Sequence, residues 1–193
     1  MKRRALLLLL LAVACRRTPA EKTRDLLSVG LTTLDDATFD LSTLKNHKAA
    51  VLVFLAPDCP LSQSYVLTLN TLSEQFDAEG VQFLGVVAGE WFPQAEIRQF
   101  TEVYKLRIPV LLDREFHLTD ALGATKTPEA FALDAAGEVF YKGAIDNWST
   151  DLGQHRTVIS EHYLRDALTS HLKGQNPTTK ETPAVGCFIE RQG

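Results

Sequence analysis

Val51-Leu52-Val53-Phe54-Leu55-Ala56-Pro57-Asp58-Cys59-Pro60-Leu61-Ser62 begins as an uncharged apolar run, breaks at Pro57-Asp58, and continues into a cysteine, a proline and a helix-like pattern. It reads as a buried strand whose end delivers Cys59 to the first turn of a helix. A thiol placed there faces unpaired backbone N–H groups and the positive end of the helix dipole, so its thiolate is favoured. Free cysteine is otherwise among the most buried and inert residue types. The strand-to-helix junction and the turn-forming neighbours Pro57, Asp58 and Pro60 point instead to a reactive thiol.

The bulk properties narrow the possibilities. With 193 residues and 45% hydrophobic content, the chain can bury a proper core in one globular domain. Lys2, Arg3 and Arg4 form a positive n-region, and Ala5 to Val13 is an apolar segment too short to span a bilayer. Ala12-Val13-Ala14-Cys15 resembles the bacterial lipobox, in which the cysteine is lipidated and becomes the new N-terminus. An ordinary secretory signal cleaved nearby is the alternative. Residues 1–15 are thus expected to be a lipoprotein signal peptide with Cys15 as the lipidated anchor, and residues 16–30 a tether. Both readings give an extracytoplasmic address. The lipobox specifies the bacterial cell envelope, with the domain facing the periplasm and membrane-anchored through its N-terminal lipid, where disulfides are permitted. The formal charge is −4, and losing the three cations before Cys15 leaves −7. No basic cluster remains to follow a phosphate backbone, which argues against a nucleic-acid partner.

If Cys15 carries lipid, Cys59 and Cys187 are the remaining thiols. In an oxidising compartment they form a structural bridge, a redox pair or two independent thiols, and the sequence alone does not choose.

Along the chain, Leu31 to Leu44 has the look of a hairpin around Asp35-Asp36-Ala37. The core strand runs from about Ala49 to Ala56. Tyr65, Leu69, Leu72 and Phe76 then mark one face of an amphipathic helix ending near Gly80. Val81 to Val87 is a second buried strand, so this strand–helix–strand unit implies parallel pairing. Trp91-Phe92-Pro93 opens another helix with Ile97, Phe100 and Tyr104 on one face. Ile108 to Asp113 is extended, and His117 to Leu122 is a turn or two of helix. Glu129 to Asp134 and Glu138 to Gly143 form an antiparallel pair with Gly137 in the loop. A last helix spans about Ser160 to Lys173, and residues 174–193 read as extended coil.

Three elements carry a resemblance. Cys59-Pro60-Leu61-Ser62 is similar to the Cys-x-x-Cys that thioredoxins place between their first core strand and its helix, with the second cysteine replaced. Lys126-Thr127-Pro128-Glu129 stands immediately before a predicted strand, where thioredoxin-like proteins carry a cis-proline; an ordinary trans proline opening a strand is the plainer reading. Together with Gly143-Ala-Ile-Asp-Asn147 and the terminal Thr182-Pro-Ala-Val-Gly-Cys187, they resemble a bacterial redoxin family. Its members are thioredoxin-like proteins of the alkyl-hydroperoxide-reductase/thiol-specific-antioxidant or thiol–disulfide oxidoreductase kind.

The resemblance implies an α/β fold over residues 31–173: a thioredoxin-like sandwich, with a mixed β-sheet and helices on both faces. Residues 174–193 would be a tail carrying Cys187. It further implies Cys59 as nucleophile, Pro128 as cis-proline, and Thr127 as a backbone partner for substrate. Pro60 and Ser62 would stand beside that substrate, Ser62 either donating to the Cys59 thiolate or serving as a plain helix N-terminal serine. The partner would be a protein or small-molecule disulfide or thiol, and neither a cofactor nor a metal is implied. Fourteen residues separate Cys187 from Lys173, so an extended tail reaches up to roughly 46 Å. A domain of this size has a radius of gyration of about 15 Å. A Cys59–Cys187 redox pair is within reach, as is a separate structural or surface thiol at Cys187.

Three other readings compete. A peroxiredoxin-like thiol peroxidase would need Pro-x-x-x-Thr-x-x-Cys, whereas Ala56 and Leu52 hold the threonine and proline positions. Copper chaperones on this fold use Cys-x-x-x-Cys, and position 63 is Gln63; of the histidines, His155 is the one to test beside Cys59 and Cys187. A binding module without turnover would use Trp91 and Trp148 as a protein-facing surface.

Overall fold

The protein was analysed as a computed structural model, which describes residues 26–191. Cys15, the signal segment and most of the expected tether lie outside the described residues. In chain order the first elements are β1 (Gly30–Thr33), β2 (Thr38–Asp40), a 3-10 helix (Leu41–Asn46), β3 (Ala49–Phe54), α1 (Pro60–Asp77), β4 (Val81–Ala88), α2 (Gln94–Tyr104) and β5 (Val110–Asp113). Then follow α3 (His117–Leu122), β6 (Lys126–Thr127), β7 (Glu129–Asp134), β8 (Val139–Gly143), β9 (Ser149–Asp151), β10 (Gln154–His155), α4 (Tyr163–Leu172) and β11 (Cys187–Phe188).

Seven strands form one mixed sheet in the order β2-β1-β5-β4-β3-β7-β8. The apolar run is its central strand: β3 pairs parallel with β4 and antiparallel with β7, and all its residues are buried. Because strand side chains alternate between faces, Val51 and Val53 point to one side and Ala50, Leu52 and Phe54 to the other. The first side packs under Tyr65, Leu69, Leu72 and Phe76 of α1, Phe100 of α2 and Leu164 and Leu168 of α4. The second packs against Leu118 of α3 and Leu41 and Leu44 of the 3-10 helix. Helices therefore cover both faces, and a continuous apolar strand is the pattern such double coverage requires.

The structure departs from the sequence expectation in three places. Leu26 and Leu27 are buried in the second cluster, so the packed body begins before Leu31. The second half of the expected N-terminal hairpin stops at Asp40, whose carboxylate accepts from the Ser42 N–H at 2.8 Å and whose carbonyl accepts from the Thr43 hydroxyl. That cap turns the chain helically and sends Leu41 and Leu44 inward. The segment 147–157 holds a short β9–β10 hairpin where a loop was expected.

Phe54 and Phe131 meet edge to face across β3 and β7, ring centroids 5.6 Å apart, with neither ring exposed. Phe131→Ala is expected to lower the unfolding free energy by about 3–5 kcal/mol in urea titration. A loss below about 1 kcal/mol would contradict a well-packed second face.

Candidate active site

The end of β3 is fixed before it reaches the sulfur. Leu55 N–H donates to the Val86 carbonyl at 2.8 Å, the last rung before the chain leaves the sheet. Two side chains from the first turn of α1 then reach back to hold the turn. The Ser62 hydroxyl accepts from Ala56 N–H at 3.2 Å, and the Gln63 amide donates to the Pro57 carbonyl at 2.8 Å. Cys59 is the N-cap residue, with an extended backbone, and Pro60 opens the helix at N1, where a missing N–H costs nothing. Ser62 therefore braces the loop with its hydroxyl, while its backbone N–H is the group that faces the Cys59 sulfur.

The second wall of the site is the segment before β7. The Thr127–Pro128 peptide bond is cis. Glu129, buried and paired with Phe54 in the sheet, accepts from the N–H groups of Thr125 and Lys126 at 2.8 and 3.0 Å through one carboxylate oxygen. Those two bonds close the turn that aims the Thr127 carbonyl at Cys59, whose thiol donates to it at 3.0 Å. Glu129 stands inside the Thr-Pro-Glu motif. Nothing in its sequence context, however, tells a loop-bracing acid from an exposed one.

The third wall is the C-terminal tail. Its first attachment is to β8: Lys142 N–H donates to the Lys180 carbonyl and its own carbonyl accepts from Thr182 N–H, and Thr182 Oγ1 accepts from Ala144 N–H at 3.0 Å. The second is to β6, where Cys187 pairs antiparallel with Thr127 and Phe188 with Lys126, followed by Ile189 N–H donating to the Thr125 carbonyl. Gly186 makes this approach possible. A Cβ there would lie 2.1 Å from the Thr127 carbonyl oxygen, which no side chain can share. Arg191 pairs with Asp120 beyond it. The backbone edge at Thr127, which the sequence reading reserved for substrate, is thus occupied by the chain's own tail.

This docking sets the Cys187 and Cys59 sulfurs 2.7 Å apart, with Cys59 fully buried and Cys187 partly so. Both are free cysteines here, and a disulfide would need a further approach to about 2.05 Å. Burial works against the Cys59 thiolate. It is outweighed by the Cys187 thiol donating to it and by the N–H groups of Ser62 and Cys187, and the pKa falls below the ordinary thiol value. Thr127 Oγ1, buried without a hydrogen-bond partner in the dithiol geometry, adds to that stabilisation once Cys59 ionises. The Thr127 carbonyl acts the other way, since it accepts from the neutral thiol only. For Cys187 the balance is opposite. Burial, donation to Cys59 and the negative charge of Cys59 push its pKa up to about 12. Of the two sulfurs Cys59 is therefore the one that ionises first, while Cys187 is held as the thiol.

Around the pair, the Gly143 to Asn147 loop is structural. Asp146 accepts from the Tyr65 hydroxyl at 2.7 Å and from Trp148 N–H, and Asn147 ties down Ser160 and Glu161. Trp148 packs edge-on against Tyr65 and stacks on the exposed His155 ring. Trp91 is exposed. Among the described residues no three His, Cys, Asp or Glu side chains group as metal ligands.

Comparison with known proteins gives the family and the fold. The redoxin family profile matches residues 18–158. The chain is 30% identical over 121 residues to the thiol-disulfide oxidoreductase ResA of Geobacillus kaustophilus, covering 58% of this chain and 67% of that one. Its fold is similar to that of an uncharacterized conserved protein of Geobacillus kaustophilus, with a TM-score of 0.76 at 22% identity over 84% of this chain and 88% of the other. A secreted disulfide oxidoreductase of Mycobacterium tuberculosis, homologous to E. coli DsbE, superposes with a TM-score of 0.54 at 19% identity over 78% and 98% of the two chains.

Two outcomes follow. An ultraviolet titration of thiolate absorbance should place the first ionisation, that of Cys59, below the ordinary thiol range, and Cys187→Ala should move it upward. An unmoved titration in that variant would contradict donation by Cys187. Gly186→Ala should undock the tail, read as faster proteolysis after α4 and slower Cys59–Cys187 disulfide formation, with the sheet's stability little changed.

Proposed function

Since the chain belongs to the redoxin family, we propose that it is a thiol–disulfide oxidoreductase in which Cys59 and Cys187 form the redox pair. The observation that carries this reading is the 2.7 Å approach of the two sulfurs, one favoured as thiolate and the other held as thiol. The similarity to ResA proteins supports the reaction class.

In the reducing direction the Cys59 thiolate attacks one sulfur of a substrate disulfide. A Cys59–substrate bond forms, the substrate disulfide breaks, and the second substrate sulfur leaves as thiolate. Cys59 has no exposed surface while the tail is docked, so the Gly186–Phe188 segment lifts to admit that substrate. The negative charge on Cys59 is then gone, and with it one of the causes that hold Cys187 protonated. Cys187 ionises more readily, its proton passing to the departing thiolate. Re-docking brings it onto the Cys59 sulfur, where it forms the Cys59–Cys187 disulfide and expels the substrate's remaining thiolate. The roles of Pro128, Thr127, Pro60 and Ser62 in this scheme are to shape and brace the pocket. The Thr127 edge becomes open to substrate only when the tail has left it.

We assign residues 1–15 as a lipoprotein signal ending in lipidated Cys15, which would tether the domain in the cell envelope, facing the periplasm. The lipobox-like Ala12-Val13-Ala14-Cys15 supports this. A secreted relative of the same fold is compatible with it.

Reduced protein should cleave insulin disulfides, and Cys59→Ala should fall to the uncatalysed rate. Cys187→Ala should accumulate a Cys59–substrate mixed disulfide. Peptide mapping that finds Cys187 as an unmodified thiol in both redox states would exclude its resolving role. In cells, Cys15→Ser should shift the protein out of the membrane fraction.

A further inference from the structure

Beside the sulfur pair lies a cleft of about 400 Å³. Trp91 and Phe92 form one side, Phe188 of the tail forms another, and Leu55 and Ala56 continue from the end of β3. The tail is part of this cleft, so its shape exists while the tail is docked. Cys187 lines it, and Cys59 does not. A molecule in the cleft therefore meets the pair from the Cys187 side.

The charge of the lining has one sign. Asp58, Glu96 and Glu190 line the cleft and no Lys or Arg does. Cations on adjoining segments already have partners, Lys126 and Arg114 on residues of the cleft wall itself. Arg98 pairs with Asp35, Arg191 with Asp120, Arg114 donates to the carbonyls of Gly89 and Phe92, and the Lys126 ammonium sits over the Phe188 ring. None of the three cleft carboxylates takes part in an ion pair among the described residues. Trp91, 51% exposed, adds π surface at the mouth, and Phe188, 73% exposed, adds apolar surface with one ring face taken by Lys126. Carboxylates together with aromatic faces recognise a cation on an apolar arm and repel an anion.

Resting on the Cys59–Cys187 disulfide of the preceding section, we propose that this cleft receives the thiol that re-reduces the oxidised pair, and that it selects a cationic thiol with an apolar arm, such as a cysteine flanked by basic and hydrophobic residues. The disulfide holds the tail down and so keeps the cleft assembled. The incoming thiolate attacks the Cys187 sulfur: a partner–Cys187 bond forms, the Cys59–Cys187 bond breaks, and Cys59 departs as thiolate. Cys59 is the better leaving group of the two, because the N–H groups of Ser62 and Cys187 receive its charge. A second partner thiolate attacks the partner's own sulfur, which yields the partner disulfide and releases Cys187 to take up a proton.

The experiment is the rate of reduction of the oxidised protein by cysteamine, 2-mercaptoethanol and 3-mercaptopropionate, each corrected for its thiolate fraction. The same thiols acting on bis(2-hydroxyethyl) disulfide give the intrinsic ratio. At low salt the cysteamine-to-mercaptopropionate ratio should exceed the intrinsic one by about tenfold or more. It should shrink as salt rises and in the Glu96→Gln/Glu190→Gln variant, and the acid-quenched adduct should map to Cys187. A ratio equal to the intrinsic one, or one unchanged in the double variant, overturns the charge selection, and an adduct on Cys59 overturns the port. If oxidation yields no Cys59–Cys187 disulfide at all, the failure lies in the preceding reading.

Discussion

The contact of Gly186 with the Thr127–Pro128 peptide holds the site together. Only a residue without a side chain can come so close to that carbonyl, and every feature of the sulfur pair depends on the tail lying there. It sets the Cys187 register opposite Thr127, brings the two sulfurs together, and adds the Cys187 thiol and N–H to the donors that favour the Cys59 thiolate. The attachment is built from short pieces: two backbone bonds joining Lys142 to Lys180 and Thr182, two paired residues at β6, and a surface ion pair at Arg191. Individually each contributes little, since an exposed ion pair is worth about 0–1 kcal/mol and a typical hydrogen bond about 1 kcal/mol net. Such a strap is weak enough to lift, as the proposed attack by the buried Cys59 requires.

The pocket beneath the strap is rigid for a different reason. Its loops are held by polar side chains, all but Gln63 buried, whose hydrogen bonds burial makes costly to break. Glu129 closes the turn before the cis-proline, Ser62 and Gln63 hold the loop before Cys59, and Asp146 anchors Tyr65 and Trp148. Asp113 does the same at the C-terminal end of β5, receiving the N–H groups of Leu118 and Thr119 that start α3. Removing the acceptor at Glu129, Ser62, Asp146 or Asp113 leaves its donors unpaired, at a cost of about 1–3 kcal/mol for each buried group. A stiff base and a detachable strap divide the labour between positioning and access.

Electrostatics separates the two sulfurs further. Cys59 sits at a helix N-terminus among donors, while Cys187 opens the two-residue strand β11 against β6, where burial and the negative charge of Cys59 work against its ionisation. The chemical identity of the two side chains is the same, and their environments give them opposite roles.

The sequence by itself determined the sheet, most of the helices and the place of Cys59, because these follow from local periodicity. β3 is apolar on both faces, and Tyr65, Leu69, Leu72 and Phe76 all point into the core at helical spacing. It also marked the cis position at Pro128 through resemblance. It could not show that Asp40 caps a 3-10 helix instead of extending a strand, nor that Leu26 and Leu27 belong to the core, since single polar or apolar residues near a boundary suit either state. Above all, it left the partner of Cys59 open. Cys187 stands 128 positions away, and a Pro/Thr/Lys-rich tail has no periodicity to say where it packs. Only the tertiary structure decided that pairing, because the fit depends on a glycine meeting a distant carbonyl, a complementarity that exists only after both segments are in place.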